Sequence, residues 1–101
     1  MAQFDIYKNT NSATAKEYPY LLDIQNDLLN NLNTRVVVPL AINFKPIKHL
    51  MPQFNINGQT LTMLTTEIAG VSTSLCSEFV TNLSDKRNEI IDAIDFMING
   101  F

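Results

Sequence analysis

The sequence contains few of the residues on which metal and thiol chemistry depend. Among 101 residues there is one cysteine, Cys76, and one histidine, His49, and there is no tryptophan. Because a zinc site needs several His, Cys or carboxylate ligands at short spacing, no metal or other cofactor is expected. A lone cysteine also excludes an internal disulfide. Cys76 and His49 would make a nucleophile and its base if they met, but a buried thiol and a hydrogen-bonded loop histidine are the commoner outcome.

Charged residues are scarce as well, at 17%, and positive charge is the scarcer sign, with seven Lys and Arg and a net charge of −3. Tight binding to a phosphate backbone requires several Lys and Arg that displace counterions, so direct nucleic-acid binding is not expected. Uncharged polar residues must therefore carry the surface, which suits contact with other proteins. The 46% hydrophobic content predicts a folded chain, and the length predicts one small domain over residues 1–101.

The chain also lacks long apolar runs and glycine-rich loops. No run approaches the roughly 18 apolar residues of a membrane span, and the first residues have neither a basic nor an apolar signal region, so a cytoplasmic protein with no membrane partner is expected. Three glycines cannot form a phosphate-binding loop or a nucleophile elbow. Asp92 and Asp95 remain as candidates for acid–base chemistry, but a solvated pair is the expected outcome. No catalytic residue is predicted, and a binding role is favoured.

Alternating and β-branched stretches predict antiparallel strands over most of the chain. Residues 64–69 predict one or two helical turns ended by Gly70, and Pro39 removes a backbone donor from the most apolar strand, which predicts a bulge or a bend. Strands followed by one helix predict a mainly β, α+β fold: a bent sheet or small barrel of antiparallel strands with a C-terminal α-helix packed on it. The predicted strands are residues 4–7, 18–24, 35–42 and 71–75, together with the hairpin described next.

The sharpest local prediction is a β-hairpin at Asn57-Gly58. Asn-Gly between alternating segments is typical of a type I′ turn, which needs positive φ at both positions. A two-residue loop places Ile56 opposite Gln59 and Phe54 opposite Leu61.

Two polar segments predict exposed loops. Residues 8–17 have no apolar period, and a loop of this length is either functional or a tolerated insertion. The Asn-rich segment after residue 24 contains Leu28 and Leu29 and predicts either a short amphipathic turn or a loop that exposes two leucines to solvent.

The C-terminal stretch predicts an amphipathic helix that begins at Ser84, with Ser84 as N-cap and Asp85 at the positive end of the helix dipole. Gly100 is predicted to end the helix as the C′ residue. The predicted inner face is apolar with a helical period and consists of Ile90, Ala93, Ile94, Met97 and Phe101.

The opposite helix face is predicted to be polar, and it is bordered by Ile91 and Ile98. Those two isoleucines are either the edge of a wide core stripe or part of a contact strip. Because a small barrel has little surface to bury, Ile98 and Phe101 at the helix tip also favour a homodimer. The polar positions are Asn88, Asp92, Asp95 and Asn99.

Four segments in register resemble the CcdB toxins over nearly the whole chain, down to a terminus that ends in glycine and one hydrophobic residue. The resemblance implies an SH3-like barrel that forms a homodimer, traps DNA gyrase on cleaved DNA by binding its A subunit, and is neutralised by a CcdA-like antitoxin. The segments are LLDIQNDLL (residues 21–29), RVVVPLA (35–41), MLTTEIA (63–69) and LSDKRNEIIDAIDFMINGF (83–101).

The resemblance also implies which residues touch each partner. One departure concerns Asn99, where the best-known member of the family has tryptophan, a typical interface anchor. The gyrase-contacting residues would be Asn26, Leu28, Leu29, Asn30, Arg87, Asn88, Ile91, Asp92, Asp95, Asn99, Gly100 and Phe101. The antitoxin-contacting residues would be Lys8, Asn9, Thr10, Asn11, Ser12, Asn43, Phe44 and Lys45.

Two other readings stay open at this point. Ribonuclease toxins share this barrel fold, but they need an acid, a base and basic residues along one groove, which seven Lys and Arg and a single histidine do not favour. The second alternative is a toxin that still forms a dimer and binds its antitoxin but no longer poisons gyrase. It stays open because Asn99 cannot supply the area of a tryptophan ring.

Overall fold

The computed structural model describes residues 1–100, and the predictions made for Phe101 lie outside the described residues. Short 3-10 helices occupy the connections at Asp27–Leu29, Thr65–Glu67, Thr73–Leu75 and Ser84–Lys86. The strands are β1 (Asp5–Lys8), β2 (Tyr20–Asp23), β3 (Thr34–Ala41), β4 (Gln53–Ile56), β5 (Gln59–Met63), β6 (Ala69–Ser72) and β7 (Phe79–Asn82), and the helix is α1 (Arg87–Asn99).

The strands form one antiparallel sheet in which the long strand β3 has three partners. The order is β4-β5-β3-β2-β1-β7, and β6 pairs with β3 outside this path. One edge of β3 pairs with β2, while the other edge pairs first with β6 and then with β5. A strand that changes partner along one edge bends the sheet into a half-barrel, and the helix packs on its apolar face. The predicted α+β small barrel with a C-terminal helix is confirmed.

Pro39 lies where β3 changes partner. Its carbonyl accepts a hydrogen bond from Leu64 N–H at 3.0 Å, on the edge between β6 and β5. In an antiparallel strand the N–H and C=O of one residue point to the same edge of the strand. The missing N–H of Pro39 would therefore point to the place between β6 and β5, where neither strand pairs with β3. The register with β2 runs through Leu21↔Pro39 without a shift, so a bulge is absent at Pro39.

The Asn57-Gly58 hairpin is confirmed in its register and its turn type. Ile56 faces Gln59 and Phe54 faces Leu61 across β4 and β5. Both turn residues have positive φ, 53° at Asn57 and 81° at Gly58, as a type I′ turn requires.

The main core lies between the concave side of the sheet and α1. Ile90 and Ala93 from the helix are buried against a cluster that the strands supply. Truncation of a fully buried isoleucine costs about 2–5 kcal/mol, so Ile90 anchors the helix to the barrel. The strand side of this cluster includes Ile6, Leu22, Val38, Leu40, Leu61 and Met63.

Predictions for the segment between β5 and α1 were partly wrong. Gly70 does not end a helix, because it pairs with Val36 inside β6. The strand expected at residues 71–75 is Ala69–Ser72 and is followed by a 3-10 turn. Strand β7 was not predicted, because its pairing with β1 joins residues almost 80 positions apart in sequence and has no local signal.

The helix start also differs from the prediction. The Ser84 side chain does not cap α1; instead its N–H donates to Asn82 Oδ1 at 2.8 Å, and a 3-10 turn precedes the helix at Arg87. Neither the 3-10 turn, with Leu83 at its N-cap, nor α1, with Lys86 at its N-cap, has a side-chain cap within the described residues. The predicted C-terminus is confirmed: Gly100 has φ 78°, and its N–H donates to the Phe96 carbonyl at 2.7 Å.

Candidate functional site

Residues 26–30, named here the leucine loop, form an exposed apolar projection. Leu28 is 90% exposed and Leu29 is 49% exposed. The turn itself is the 3-10 helix Asp27–Leu29, and Asn26 caps it by accepting a hydrogen bond from Leu28 N–H at 2.8 Å. Of the two expectations for this segment, the one found is the exposure of both leucines: a short turn is present, but none of its residues is buried, so the turn is not amphipathic.

A buried ion pair lies beneath the leucine loop. Arg35 Nε donates to Asp23 Oδ2 at 2.8 Å, and Nη2 lies 2.6 Å from the same oxygen as an ion-pair contact. Burial raises the pKa of Asp23, while hydrogen bonds from Gln25 N–H and Arg35, and the positive charge of Arg35, oppose that shift. Arg35 Nη1 reaches the loop and donates to Asn30 Oδ1 at 2.5 Å. Arg35 was expected only as the first residue of an apolar strand, and its pairing with Asp23 was not predicted from the sequence.

The N-terminal segment joins the leucine loop to the start of α1. Gln3 N–H donates to Asp27 Oδ1 at 2.7 Å, and Gln3 Oε1 accepts from Arg87 Nη1 at 3.2 Å. The Arg87 guanidinium also lies 5.5 Å from the centroid of the Phe4 ring. The two segments to which the sequence assigned gyrase contact therefore lie side by side on one surface. Gln3 was not singled out from the sequence, because a single glutamine near the N-terminus has no local signal.

The outer face of α1, consisting of Asn88, Ile91, Asp92, Asp95, Ile98 and Asn99, continues this surface. The four polar residues are exposed, as predicted. Ile91 is half-buried and packs against the main core, whereas Ile98 is 69% exposed. Each of the two predictions for these isoleucines therefore holds for one residue: Ile91 lies at the edge of the core, and Ile98 is exposed and available for contact.

His49 faces this helix across a pocket of about 440 Å³ lined by His49, Asp92, Asp95 and Phe96. The His49 and Phe96 ring centroids are 5.9 Å apart, and His49 has a positive φ of 67°, which is unusual for a residue with a side chain. Cys76 is elsewhere, buried in the cluster with Tyr7. Burial raises the pKa of the Cys76 thiol. The His49–Cys76 pair considered from the sequence is thus not formed.

Lys8, the last residue of β1, is assigned to antitoxin contact, and the other assigned residues lie on two loops, residues 9–19 and 42–52. Asn9 is buried and shapes the first loop: its amide donates to Thr14 Oγ1 at 3.0 Å and to the Tyr18 carbonyl at 2.8 Å. A pocket of about 350 Å³ lies where the loops meet, lined on one side by residues 16–18 and on the other by residues 41–44. Seven of the assigned residues are exposed: Lys8, Thr10, Asn11, Ser12, Asn43, Phe44 and Lys45.

Over residues 1–100, no three His, Cys, Asp or Glu side chains are grouped so that they could hold a metal ion. In the same part of the chain no helix has the length and apolar character needed to cross a membrane.

Comparison with a solved structure shows that the fold occurs in a toxin–antitoxin complex. A structure described as an endoribonuclease in complex with its cognate antitoxin, from a mycobacterial species, superposes with a TM-score of 0.80. The match covers 97% of this chain and 94% of that chain at 15% identity, a level at which it shows the fold alone.

Comparison with protein families identifies the class. The family model described as CcdB protein matches residues 3–100. This match defines the chain as a toxin of the toxin–antitoxin class. Within that class, the chain belongs to the CcdB family.

Proposed function

We propose that this protein is a toxin that binds the A subunit of DNA gyrase and holds the enzyme on cleaved DNA. The observation that carries the proposal is the continuous surface made by the leucine loop and the outer face of α1, joined through Gln3. Its large exposed apolar residues are Leu28, Leu29 and Ile98, and its exposed polar residues include Asn88, Asp92 and Asp95. Apart from Arg87, the polar side chains of this surface are uncharged or acidic, which suits a protein partner better than a nucleic acid.

The action requires binding alone. A ligand shifts a conformational equilibrium by as much as it prefers one state over the other. A toxin that binds the open, DNA-cleaved state of gyrase about a hundredfold better than the closed state favours the cleaved state by about 2.7 kcal/mol. No catalytic residue on the toxin is needed for that effect.

The active form in this proposal is a homodimer. Gyrase A subunits form a twofold-symmetric target, and a symmetric toxin dimer presents two copies of the same surface to it. The exposed Ile98 near the helix tip supports this part of the proposal, because it is apolar surface that a second subunit or gyrase would bury.

An antitoxin similar to CcdA is the proposed second partner. The pocket between the two loops combines Tyr18 and the exposed Phe44 ring with the charged Lys16 and Glu17, which suits an amphipathic peptide segment. A disordered antitoxin segment that folds as it binds can cover such a loop surface.

Expression in gyrase-sensitive bacteria tests the proposal. Cells that express the intact chain without an antitoxin should stop growing and accumulate cleaved DNA, and co-expression of the antitoxin should restore growth. Normal growth at high expression would contradict gyrase poisoning and would favour a toxin that has kept only its antitoxin partner.

A ribonuclease is the second candidate, and one observation favours it: the solved relative described as an endoribonuclease has this fold. On this chain the histidine–carboxylate grouping available for acid–base work is His49 with Asp92 and Asp95. An RNA-cleavage assay with the intact protein and the His49→Ala variant separates the two functions. RNA cleavage that is lost in His49→Ala would establish the ribonuclease.

A further inference from the structure

The leucine loop is held from the inside by side chains that do not themselves reach the protein surface. Arg35 Nη1 donates to Asn30 Oδ1, and Gln25 Nε2 donates to the Leu29 carbonyl at 2.9 Å. Gln25 is buried, and its Oε1 accepts a hydrogen bond from Val36 N–H at 3.0 Å on strand β3. Through Gln25 and Arg35, the last two residues of the loop are thus attached to the sheet.

The same contacts show which polar atoms of the loop already have a hydrogen-bond partner. Arginine has only donors, so the Asn30 atom that faces Arg35 must be the carboxamide oxygen. The Asn26 oxygen is likewise taken, by Leu28 N–H. Leu28, in contrast, projects with 90% of its surface exposed.

We propose that Asn30 and Gln25 are positioning residues and that Leu28 is the contact residue, an anchor that inserts into an apolar cavity of the protein partner. This inference rests on the proposed function, because it divides the roles within the surface assigned to gyrase contact. Asn30 acts on binding through the orientation of the loop and not through a bond to the partner.

The buried charge of Arg35 fits this division of roles. A guanidinium can donate in two directions at once, so Arg35 donates to Asp23 with Nε, with Nη2 in ion-pair contact, and still reaches Asn30 with Nη1. A loop that is ordered before binding loses less conformational freedom when the complex forms, and that loss otherwise weakens affinity. The fixed turn therefore makes a single leucine an effective anchor.

Three variants test the division of roles by their affinity for the purified gyrase A subunit. Asn30→Ala removes the oxygen that accepts from Arg35, whereas Asn30→Asp keeps an oxygen acceptor at the same place. We expect Asn30→Ala to weaken binding about tenfold, the loss typical of one hydrogen bond to a charged group, and Asn30→Asp to stay within about twofold of the parent. Leu28→Ala should weaken binding by tenfold or more. Equal losses in Asn30→Ala and Asn30→Asp would show that Asn30 touches the partner directly and would overturn the proposal.

Hydrogen exchange of the free protein separates this inference from the proposed function. Asn30→Ala should speed exchange of the Leu28 and Leu29 amides, and Asn30→Asp and Leu28→Ala should not. Asn31→Ala is the matched control, since Asn31 is the adjacent exposed asparagine and has no side-chain hydrogen bond within residues 1–100.

The outcomes then fall into distinct classes. Unchanged exchange in Asn30→Ala would overturn the positioning role, whatever the partner is. If exchange changes as expected but the parent protein does not bind gyrase, the proposed function and the contact role of Leu28 fail while the positioning role of Asn30 stands.

Discussion

Arg35 and Asp23 form an ion pair in the interior of the protein, with Nη2 2.6 Å from Oδ2 and side chains that are 1% and 0% exposed. The pair connects neighbouring strands, and through Asn30 it also reaches the loop that carries Leu28. The fold and the candidate site therefore depend on the same guanidinium.

Arg35→Met should destabilise the protein strongly. It leaves Asp23 buried without its partner, and removal of one member of a buried pair typically costs about 3–5 kcal/mol. Urea denaturation followed by circular dichroism measures the loss. The double variant Asp23→Leu with Arg35→Met is the control and should recover part of it, because neither charge is then left alone. A loss in Arg35→Met below about 1 kcal/mol would contradict the account of the pair.

The stability of Arg35→Met should also fall more steeply with rising pH than that of the parent. Burial raises the pKa of Asp23, so between its unfolded and folded pKa values the folded state binds more protons than the unfolded state. Stability falls as pH rises through that window. Without Arg35 the pKa rises further and the window extends to higher pH. Parallel profiles of unfolding free energy against pH would contradict this explanation, and adding Asp23→Asn to the variant should abolish the extra slope.

Tyr7→Phe should remove a loss of stability at alkaline pH. Burial, followed by the hydrogen bond that Tyr7 donates to Asp5 at 2.9 Å, raises the pKa of Tyr7 above its ordinary value of 10.0. As pH rises past that value the phenol ionises in the unfolded chain first, so the parent loses stability there.

The Tyr7→Phe variant should lose about 1 kcal/mol at neutral pH, the usual contribution of one hydrogen bond, and show a flatter alkaline profile. Alkaline titration monitored by circular dichroism compares the two proteins, with Tyr20→Phe as a control for removing a tyrosine from the adjacent strand. An alkaline profile of Tyr7→Phe that matches the parent would show that another group controls this transition.

Phe44→Ser should weaken the antitoxin complex without affecting gyrase inhibition. Phe44 lies at the pocket between the two loops, and its side chain is exposed, so the substitution should cost little stability. Calorimetric titration with the antitoxin gives the affinity. A loss of about tenfold is expected if the ring is buried in the complex, and an unchanged affinity would place the antitoxin elsewhere.

Deletion of Asn99, Gly100 and Phe101 should abolish killing while antitoxin binding persists. The helix is anchored through Ile90 and Ala93, which lie well before the deleted residues. Asn99→Trp should leave toxicity equal or raise it, because it adds an aromatic anchor of the kind that dominates interfaces. Survival counts after induced expression compare the variants, and continued killing by the shortened chain would exclude a contact at the tip.

The features that were predicted correctly from the sequence are specified by residues close together in the chain. Asn57-Gly58 specifies its turn through two positive φ angles, and Gly100 ends the helix for the same reason. The exposure of Leu28 was one of the two outcomes that its place among asparagines left open, and the structure decides between them. These features depend on neighbours in the chain, so a single sequence contains the information for them.

The features that were missed depend on residues far apart in sequence. Strand β7 exists through its pairing with β1, and Gln3 bridges the leucine loop and Arg87, which is 84 residues away. Arg35 seemed an ordinary flanking charge because arginine is rarely buried. The signal available was Asp23, an acidic residue inside a predicted apolar strand, which requires a cation on the same face of a neighbouring strand.

Gyrase-dependent DNA cleavage in a purified system tests the central claim most directly. Supercoiled plasmid, gyrase and ATP are incubated with the parent protein, with Leu28→Asn and with the control Asn31→Ala, and linear DNA is measured after protein removal. The account predicts that the parent and Asn31→Ala increase linear DNA and that Leu28→Asn, with unchanged stability, does so only at about tenfold higher concentration or not at all. No increase in linear DNA with the parent protein, or an equal increase with Leu28→Asn, would contradict the account.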